Sequence, residues 1–290
     1  MEFAFTQEQE ELRREARSFL ESNADAPLAD LRALGWLGVS VPEERGGGGL
    51  SFVDEAILFE EAGRALYTGP FLTTAVVLPA LPHVDDKAWS VEVDGLVPHL
   101  GAVDMVLRED MTAVPADGET LDTMDETRPL GRLAAGEHGS VQDDFELVRL
   151  RLLAALALEA VGIAQKALEL GVEYVSAREQ FGKKIGAYQA VSHPLADTYV
   201  ETELARSLAY WAAWCVAEDD EQAPVAVAAA KSFCAETAVA ACERSIQVHG
   251  GIGFTWEHVL HRYYKRAQWI DAFGGHAAEQ RQVVAAHLLD

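Results

Sequence analysis

The apolar positions Leu150, Leu153, Ala157, Val161, Ala164, Leu168 and Val172 step by three and four residues. A stripe with that period is buried when the segment is a long helix packed against another element. The run opens at Phe145 and reaches about Arg178. Residues 190–218, with Pro194 near their start, and the alanine-rich residues 224–248 read as two more long helices. Proline near a helix start costs little, because the first amides have no intrahelical partner. After the punctuation His249-Gly-Gly-Ile-Gly253, Thr255 is read as the start of a shorter helix, and residues 276–288 form the last. Long helices on short connections predict an antiparallel bundle over residues 143–290.

The other end of the chain is helical too. Thr6 with Gln9, and Ser51 with Asp54, have the spacing at which an N-cap side chain and the third helical residue bond each other's backbone. They open helices carrying Leu12, Ala16, Phe19 and Leu20 and residues 52–66, and a short helix follows Pro27 and ends near Gly35. Gly46 to Gly49 are read as an interhelical loop rather than a phosphate loop, since no Lys-Ser/Thr follows them. Between about Pro70 and Gln142 the periodicity changes. Proline and glycine recur, and residues 75–78, 89–93, 104–107 and 111–114 read as strands of a small β module. Its acids, Asp117, Glu119, Asp122, Asp125, Glu126, Glu137, Asp143, Asp144 and Glu146, lack calcium-loop spacing and are read as solvated. The expected fold is mainly α with a small β module, divided into an N-terminal helical domain (1–69), a β-rich domain (70–142) and a bundle domain (143–290).

Charge and thiols narrow the partners. Forty-seven acids against 23 bases give a net charge of −24, which repels nucleic acid and anionic membranes. A phosphate-bearing ligand must therefore meet clustered arginines or backbone amides. Cys215, Cys234 and Cys242 lack paired spacing and are expected as buried, inert thiols in a reducing compartment. No stretch reads as membrane-spanning and the opening residues do not read as a signal peptide, so the cytoplasm is the expected location. Glu257-His258-x-x-His261 offers no third ligand, and no metal site is expected. Arg262, Lys265 and Arg266 form a small basic cluster suited to helix-end pairing, a partner or a phosphate.

Two loops at helix ends concentrate the unusual residues. Arg178-Glu-Gln-Phe-Gly-Lys-Lys-Ile-Gly-Ala-Tyr-Gln189 places an arginine at a helix end with an aromatic and glycines beyond it. On physical grounds alone it reads as a glycine-terminated helix with an apolar contact at Phe181. In Ser245-Ile-Gln-Val-His-Gly-Gly-Ile-Gly253 the glycines let a ligand approach the backbone, or simply turn it. Together with Val161-Gly-Ile-Ala-Gln-Lys-Ala, Leu195-Ala-Asp197, Phe5-Thr-Gln-Glu-Gln, Leu34-Gly-Trp-Leu-Gly and Val41-Pro-Glu-Glu, these loops resemble the flavin-dependent acyl-CoA dehydrogenase family.

The resemblance implies FAD at a subunit interface. Arg178, Gln180, Phe181, Gln189, Gln247, Val248, His249, Gly250 and Gly251 would reach the neighbouring subunit's flavin nucleotide. A guanidinium and glycine amides suit a pyrophosphate. It also implies a glutamate that takes the α-proton of an acyl-CoA while the β-hydride goes to flavin. Aligning Phe273 and Gly275 with the family segment puts Gly274 at that glutamate, and the alternative family position falls at Leu152. Neither residue can take a proton. Asp271 and Glu159 are the nearest carboxylates, each better suited to a solvated or capping role.

Nothing between Pro70 and Gln142 matches the family's flavin-cradling segment, although Thr127-Arg-Pro-Leu-Gly-Arg132 resembles a late strand of its β-domain. These features imply the shortened subunit of a heteromeric (α2β2) acyl-CoA dehydrogenase. Its partner would be a full-length subunit carrying the catalytic glutamate, and its substrate an acyl-CoA with a steroid or other bulky acyl group. Two alternatives stay open: a self-sufficient flavoprotein with a relocated base, and a flavin-free scaffold subunit.

Overall fold

The computed structural model describes residues 4–134 and 139–289. It is mainly helical, with small sheets between two helical regions. Helix α1 (Gln7–Ser22) starts at Thr6, whose hydroxyl accepts the Gln9 amide while the Gln9 side chain accepts the Thr6 amide. Helix α2 (Leu28–Ala33) follows Pro27. Helix α3 (Phe52–Ala65) opens with the same reciprocal bonding between Ser51 and Asp54. Such caps satisfy amides that the first helical turn leaves unpaired.

Helix α4 (Phe71–Val77) and the short 3-10 turn after it occupy residues 75–78, which the sequence suggests as a strand. Every residue of α4 is buried, so no polar face marks the helical period and the apolar run looks the same in either conformation. Its Thr73 and Thr74 hydroxyls donate to the Trp89 carbonyl, which fastens α4 to the first strand.

The β module forms two three-stranded sheets. In the first, β1 (Trp89–Val91) runs parallel to β3 (Met105–Leu107), with Trp89 opposite Met105, and β3 pairs antiparallel with β4 (Ala113–Pro115). In the second, β2 (Val97–Pro98) and β5 (Gly118–Thr120) flank β6 (Leu130–Leu133), both antiparallel. The segment from Thr127 to Arg132 thus ends in a central strand. Glu137, counted in the acidic run, lies outside the described residues.

The bundle consists of α5 (Phe145–Ala177), α6 (Gln189–Ala217), α7 (Ala223–His249), α8 (Leu260–Ala272) and α9 (Ala277–Leu289). A two-stranded hairpin, β7 (Glu179–Gln180) with β8 (Lys183–Lys184), follows α5. Residues 250–254 form a 3-10 turn, and α8 begins at Leu260 rather than at Thr255. Helix α7 is long and apolar enough to cross a membrane by length and composition, contrary to the sequence expectation. Most of its apolar window (67%) is buried within the protein.

One apolar cluster runs from α1 through α3 and α4 into the bundle. The close approach at its centre is made by two glycines. A Cβ at Gly63 would lie 2.1 Å from the Glu159 carbonyl, and one at Gly162 would lie 2.0 Å from the Glu60 carbonyl. Helices α3 and α5 therefore touch backbone to backbone, and any side chain at either position would force them apart. Charged pairs tie the same elements at their edges. Arg17 on α1 holds Glu61 on α3 at 2.7 Å, and Arg206 on α6 holds Glu60 at 2.9 Å.

Candidate functional site

Helix α5 ends where Arg178 turns the backbone into an extended conformation, with φ −71° and ψ 131°. The β7–β8 hairpin follows, and the Ile185 amide returns to the Arg178 carbonyl at 2.9 Å. Phe181 sits at the hairpin tip with φ 51° and is 93% exposed. The apolar contact expected for a glycine-terminated helix is therefore not made, and an aromatic ring stands in solvent instead. The Arg178 and Gln180 side chains are exposed on the same hairpin, and Gln189, the first residue of α6, is exposed as well.

Helix α7 ends at the same end of the bundle. The Tyr174 ring on α5 stacks on His249 with centroids 4.3 Å apart. Val248 packs with Val175, Leu195 and Ile185 in a small apolar cluster beneath the hairpin. Gln247, Gly250 and Gly251 are exposed, and a Cβ at either glycine would meet nothing within 4 Å. The two sequence motifs are thus brought to one face. The side chains of Val248 and His249 do not share in that exposure. The His249 ring is buried and its Nδ1 lies 2.7 Å from the Ser245 carbonyl oxygen. These two residues anchor the loop, whereas Arg178, Gln180, Phe181, Gln189, Gln247 and the glycines line open space. A guanidinium beside uncovered backbone fits a diphosphate, which needs charge and close-approaching donors.

The positions aligned with a family base lie elsewhere. Leu152 is a core residue of α5. Gly274 follows α8, buried, with φ 71°, and a Cβ there would lie 2.8 Å from Leu153 Cδ2. Its carbonyl accepts from Gln280 Nε2 at 2.9 Å. Lys231 of α7 is fully buried beneath this loop, with Nζ 3.4 Å from the carbonyl oxygens of both Asp271 and Gly275. Burial pushes its pKa down to about 8, while the nearby Asp271 carboxylate pulls the other way.

Glu159 is neither solvated nor a cap, as the sequence suggests, but the centre of a buried ion cluster. Arg128 donates to its two oxygens at 2.5 and 2.7 Å, and Arg266 Nη1 donates to Oε1 at 2.7 Å. Arg266 Nε in turn donates to Asp125 at 2.6 Å, so two cations face two anions. Burial alone would lower the Arg266 pKa, and attraction to Glu159 and Asp125 more than reverses this. Asp125 therefore departs from the solvated reading of the acidic segment, and Arg266 from the exposed basic cluster. With both oxygens engaged, Glu159 is held as an ion-pair partner. Asp271 lies near the end of α8 with Oδ2 3.1 Å from His276 Nδ1 and Oδ1 buried without a partner.

The three cysteines are buried free thiols, and burial raises the pKa of each. His258 precedes α8, whereas His261 lies within it. Among the described residues no group of three potential ligands could hold a metal ion.

Residues 145–289 match the acyl-CoA dehydrogenase C-terminal domain, and residues 6–83 match the N-terminal domain of the same family. Acyl-CoA dehydrogenase FadE34 of Mycobacterium tuberculosis is 37% identical over 92% of this chain and 43% of its own length. Acyl-CoA dehydrogenase IpdE2 of Mycolicibacterium smegmatis is 33% identical over 86% of this chain and 83% of its own. The chain thus spans less than half of one relative and most of another. Among solved structures, the ChsE4-ChsE5 complex from Mycobacterium tuberculosis aligns with a TM-score of 0.84 at 20% identity, covering 100% of this chain and 99% of that one. A variant of the Tcur3481-Tcur3483 steroid ACAD aligns at 0.81 and 24%, covering 97% and 98%. The two structural alignments speak for the fold, and the sequence matches decide the lineage: the chain belongs to the acyl-CoA dehydrogenase family.

Proposed function

We propose that this chain is the non-catalytic subunit of a heteromeric acyl-CoA dehydrogenase, completing an FAD site whose base is supplied by a full-length partner. The observation that carries the reading is Gly274. Its position aligns with the family's base, it has no ionisable group, and Leu153 occupies the space a side chain would enter. Leu152, the other family position, is equally unable to take a proton. The nucleotide-facing motifs, by contrast, remain exposed at one end of the bundle.

FAD, when bound, supplies the hydride acceptor for α,β-dehydrogenation of an acyl-CoA. This chain's part is to bind and orient. Arg178 and Gln180 would hold the diphosphate of the nucleotide, with Gln189, Gln247 and the open backbone of Gly250 and Gly251 beside it and Phe181 covering it from water. Val248 and His249 fix the loop from below. An α2β2 assembly is part of the reading, supported by likeness to a structure described as the ChsE4-ChsE5 complex. A steroid or other bulky acyl group is supported by likeness to a protein described as a steroid ACAD. A cytoplasmic location is supported by three unpaired, buried thiols.

The test is the visible spectrum and flavin-to-protein ratio of this chain purified alone and co-expressed with a full-length acyl-CoA dehydrogenase subunit. A colourless lone chain and a yellow complex with one FAD per unlike pair are expected. Stoichiometric FAD and acyl-CoA oxidation by the lone chain would overturn the proposal. An Asp271→Asn variant would then show whether that carboxylate is the base. A complex without flavin would point to the scaffold.

A further inference from the structure

A polar cavity of about 490 Å³ opens between the β module and the start of α8. Thr68, His99, Trp256, His261, Arg262 and Lys265 line it. Its charge is unlike that of the protein as a whole. Arg262 is exposed, and Lys265 is half-buried with Nζ 4.4 Å from the centre of the Trp256 ring. Two acids also line it, but they are not equivalent. Asp125 is buried and already neutralised by Arg266 at 2.6 Å, while Glu126 is exposed at the rim. Two lysine or arginine cations thus face one unpaired carboxylate, in a chain of net charge −24.

The cavity is lined at depth by His99, which is 3% exposed. Its Nε2 is buried and has no hydrogen-bond partner. A buried polar nitrogen without a partner costs free energy that a bound ligand would recover. Its backbone is held in the left-handed region, at φ 56°, which a side chain adopts at a cost and which is concentrated where binding sites are built. At the mouth, Trp256 is 73% exposed, meets His261 edge-on at 4.8 Å and carries the Lys265 ammonium over its ring.

We infer that this cavity binds a phosphorylated nucleoside, the phosphate held by Lys265 and Arg262 and the base stacked on Trp256. Arg262 and Lys265, three residues apart on α8, line one cavity; an ammonium and a guanidinium suit a compact dianion, and an aromatic face suits a heterocycle. None of the residues that line the cavity is among those assigned to the Arg178 hairpin face. Two sources share this chemistry, a free mononucleotide and the nucleotide end of coenzyme A, and AMP serves as the probe of the first.

Calorimetric titration of the chain with AMP, coenzyme A and inorganic phosphate tests this without any assay of turnover. AMP is expected to bind one per chain. Lys265→Met should weaken it at least tenfold, and Arg14→Met, at an exposed position of α1 that does not line the cavity, should not alter it. Trp256→Ala should weaken AMP while leaving phosphate binding unchanged. Coenzyme A binding more tightly than AMP would identify its adenylate as the natural source, and the reverse order a mononucleotide. Arg178→Gln should leave AMP binding intact, which separates this site from the proposed flavin contact. No heat with any probe, wild-type affinity in Lys265→Met, or loss of AMP binding in Arg178→Gln would overturn the inference.

Discussion

Gly274 abuts Leu153 so closely that a β-carbon on the glycine would lie 2.8 Å from the leucine Cδ2. The glycine also needs φ 71°, a conformation that side chains occupy at a cost. Installing the family's base here should therefore cost stability without creating activity. Gly274→Glu is expected to lose about 1–3 kcal/mol through overpacking and backbone strain. The lone chain should still fail to oxidise an acyl-CoA. Thermal unfolding and a dye-reduction assay check both points, and a stable, active variant would show that the pocket is open after all.

The buried cluster of Arg128, Glu159, Arg266 and Asp125 joins the β module to the bundle. Its net charge is balanced, so its stability depends on every member being present. Removing one partner leaves an uncompensated buried charge, at about 3–5 kcal/mol. Arg266→Met should therefore destabilise the chain by that amount in urea unfolding. Adding Asp125→Ala to Arg266→Met should cost less than the two single losses together, because the carboxylate stranded by the first change is removed by the second.

How much of this could be read from the sequence depends on the range over which each signal acts. The caps at Thr6 and Ser51 were legible because both partners lie within one helical turn, and the bundle because α5 repeats its stripe many times. Residues 75–78 were not, since a helix buried on all sides has lost the polar face that reveals its period. Local composition misled at Asp125. The residue sits among solvated acids in sequence, yet its partner Arg266 arrives from a distant helix. Glu159 did carry a signal, as a lone acid within the apolar run from Leu152 to Ile163, which marks a buried pair without naming it. At the candidate site, the shared face of the Arg178 and Gln247 loops followed from family likeness. The inward turn of His249 follows only from its packing against Tyr174.

If the exposed hairpin serves a flavin nucleotide, Arg178 supplies a charge-assisted bond to it. Such bonds contribute about 1.5–3 kcal/mol, which corresponds to roughly 10- to 100-fold in affinity. Arg178→Gln in the co-purified complex should lose flavin by about that factor on dilution or gel filtration, followed by absorbance near the flavin maximum. The melting temperature of the lone chain should stay unchanged, since the side chain is exposed. Full flavin retention would remove the hairpin from the cofactor site.

Lys231 contributes a pH dependence of opposite sign to that of an ion-paired lysine. Its folded pKa is depressed to about 8 from the 10.5 of a solvent-exposed lysine, mainly by burial, so between these two values the unfolded chain binds more protons than the folded one. Stability must then rise with pH across that window, and the full penalty applies below about pH 8. A shift of this size corresponds to on the order of 3 kcal/mol. Lys231→Met, which keeps the length of the side chain without its charge, lacks the penalty. The variant's advantage over the natural chain in urea unfolding should be largest at pH 7 and shrink steadily towards pH 10. A gap that stays constant with pH would mean that the Asp271 and Gly275 carbonyls hold the ammonium well enough to cancel its burial.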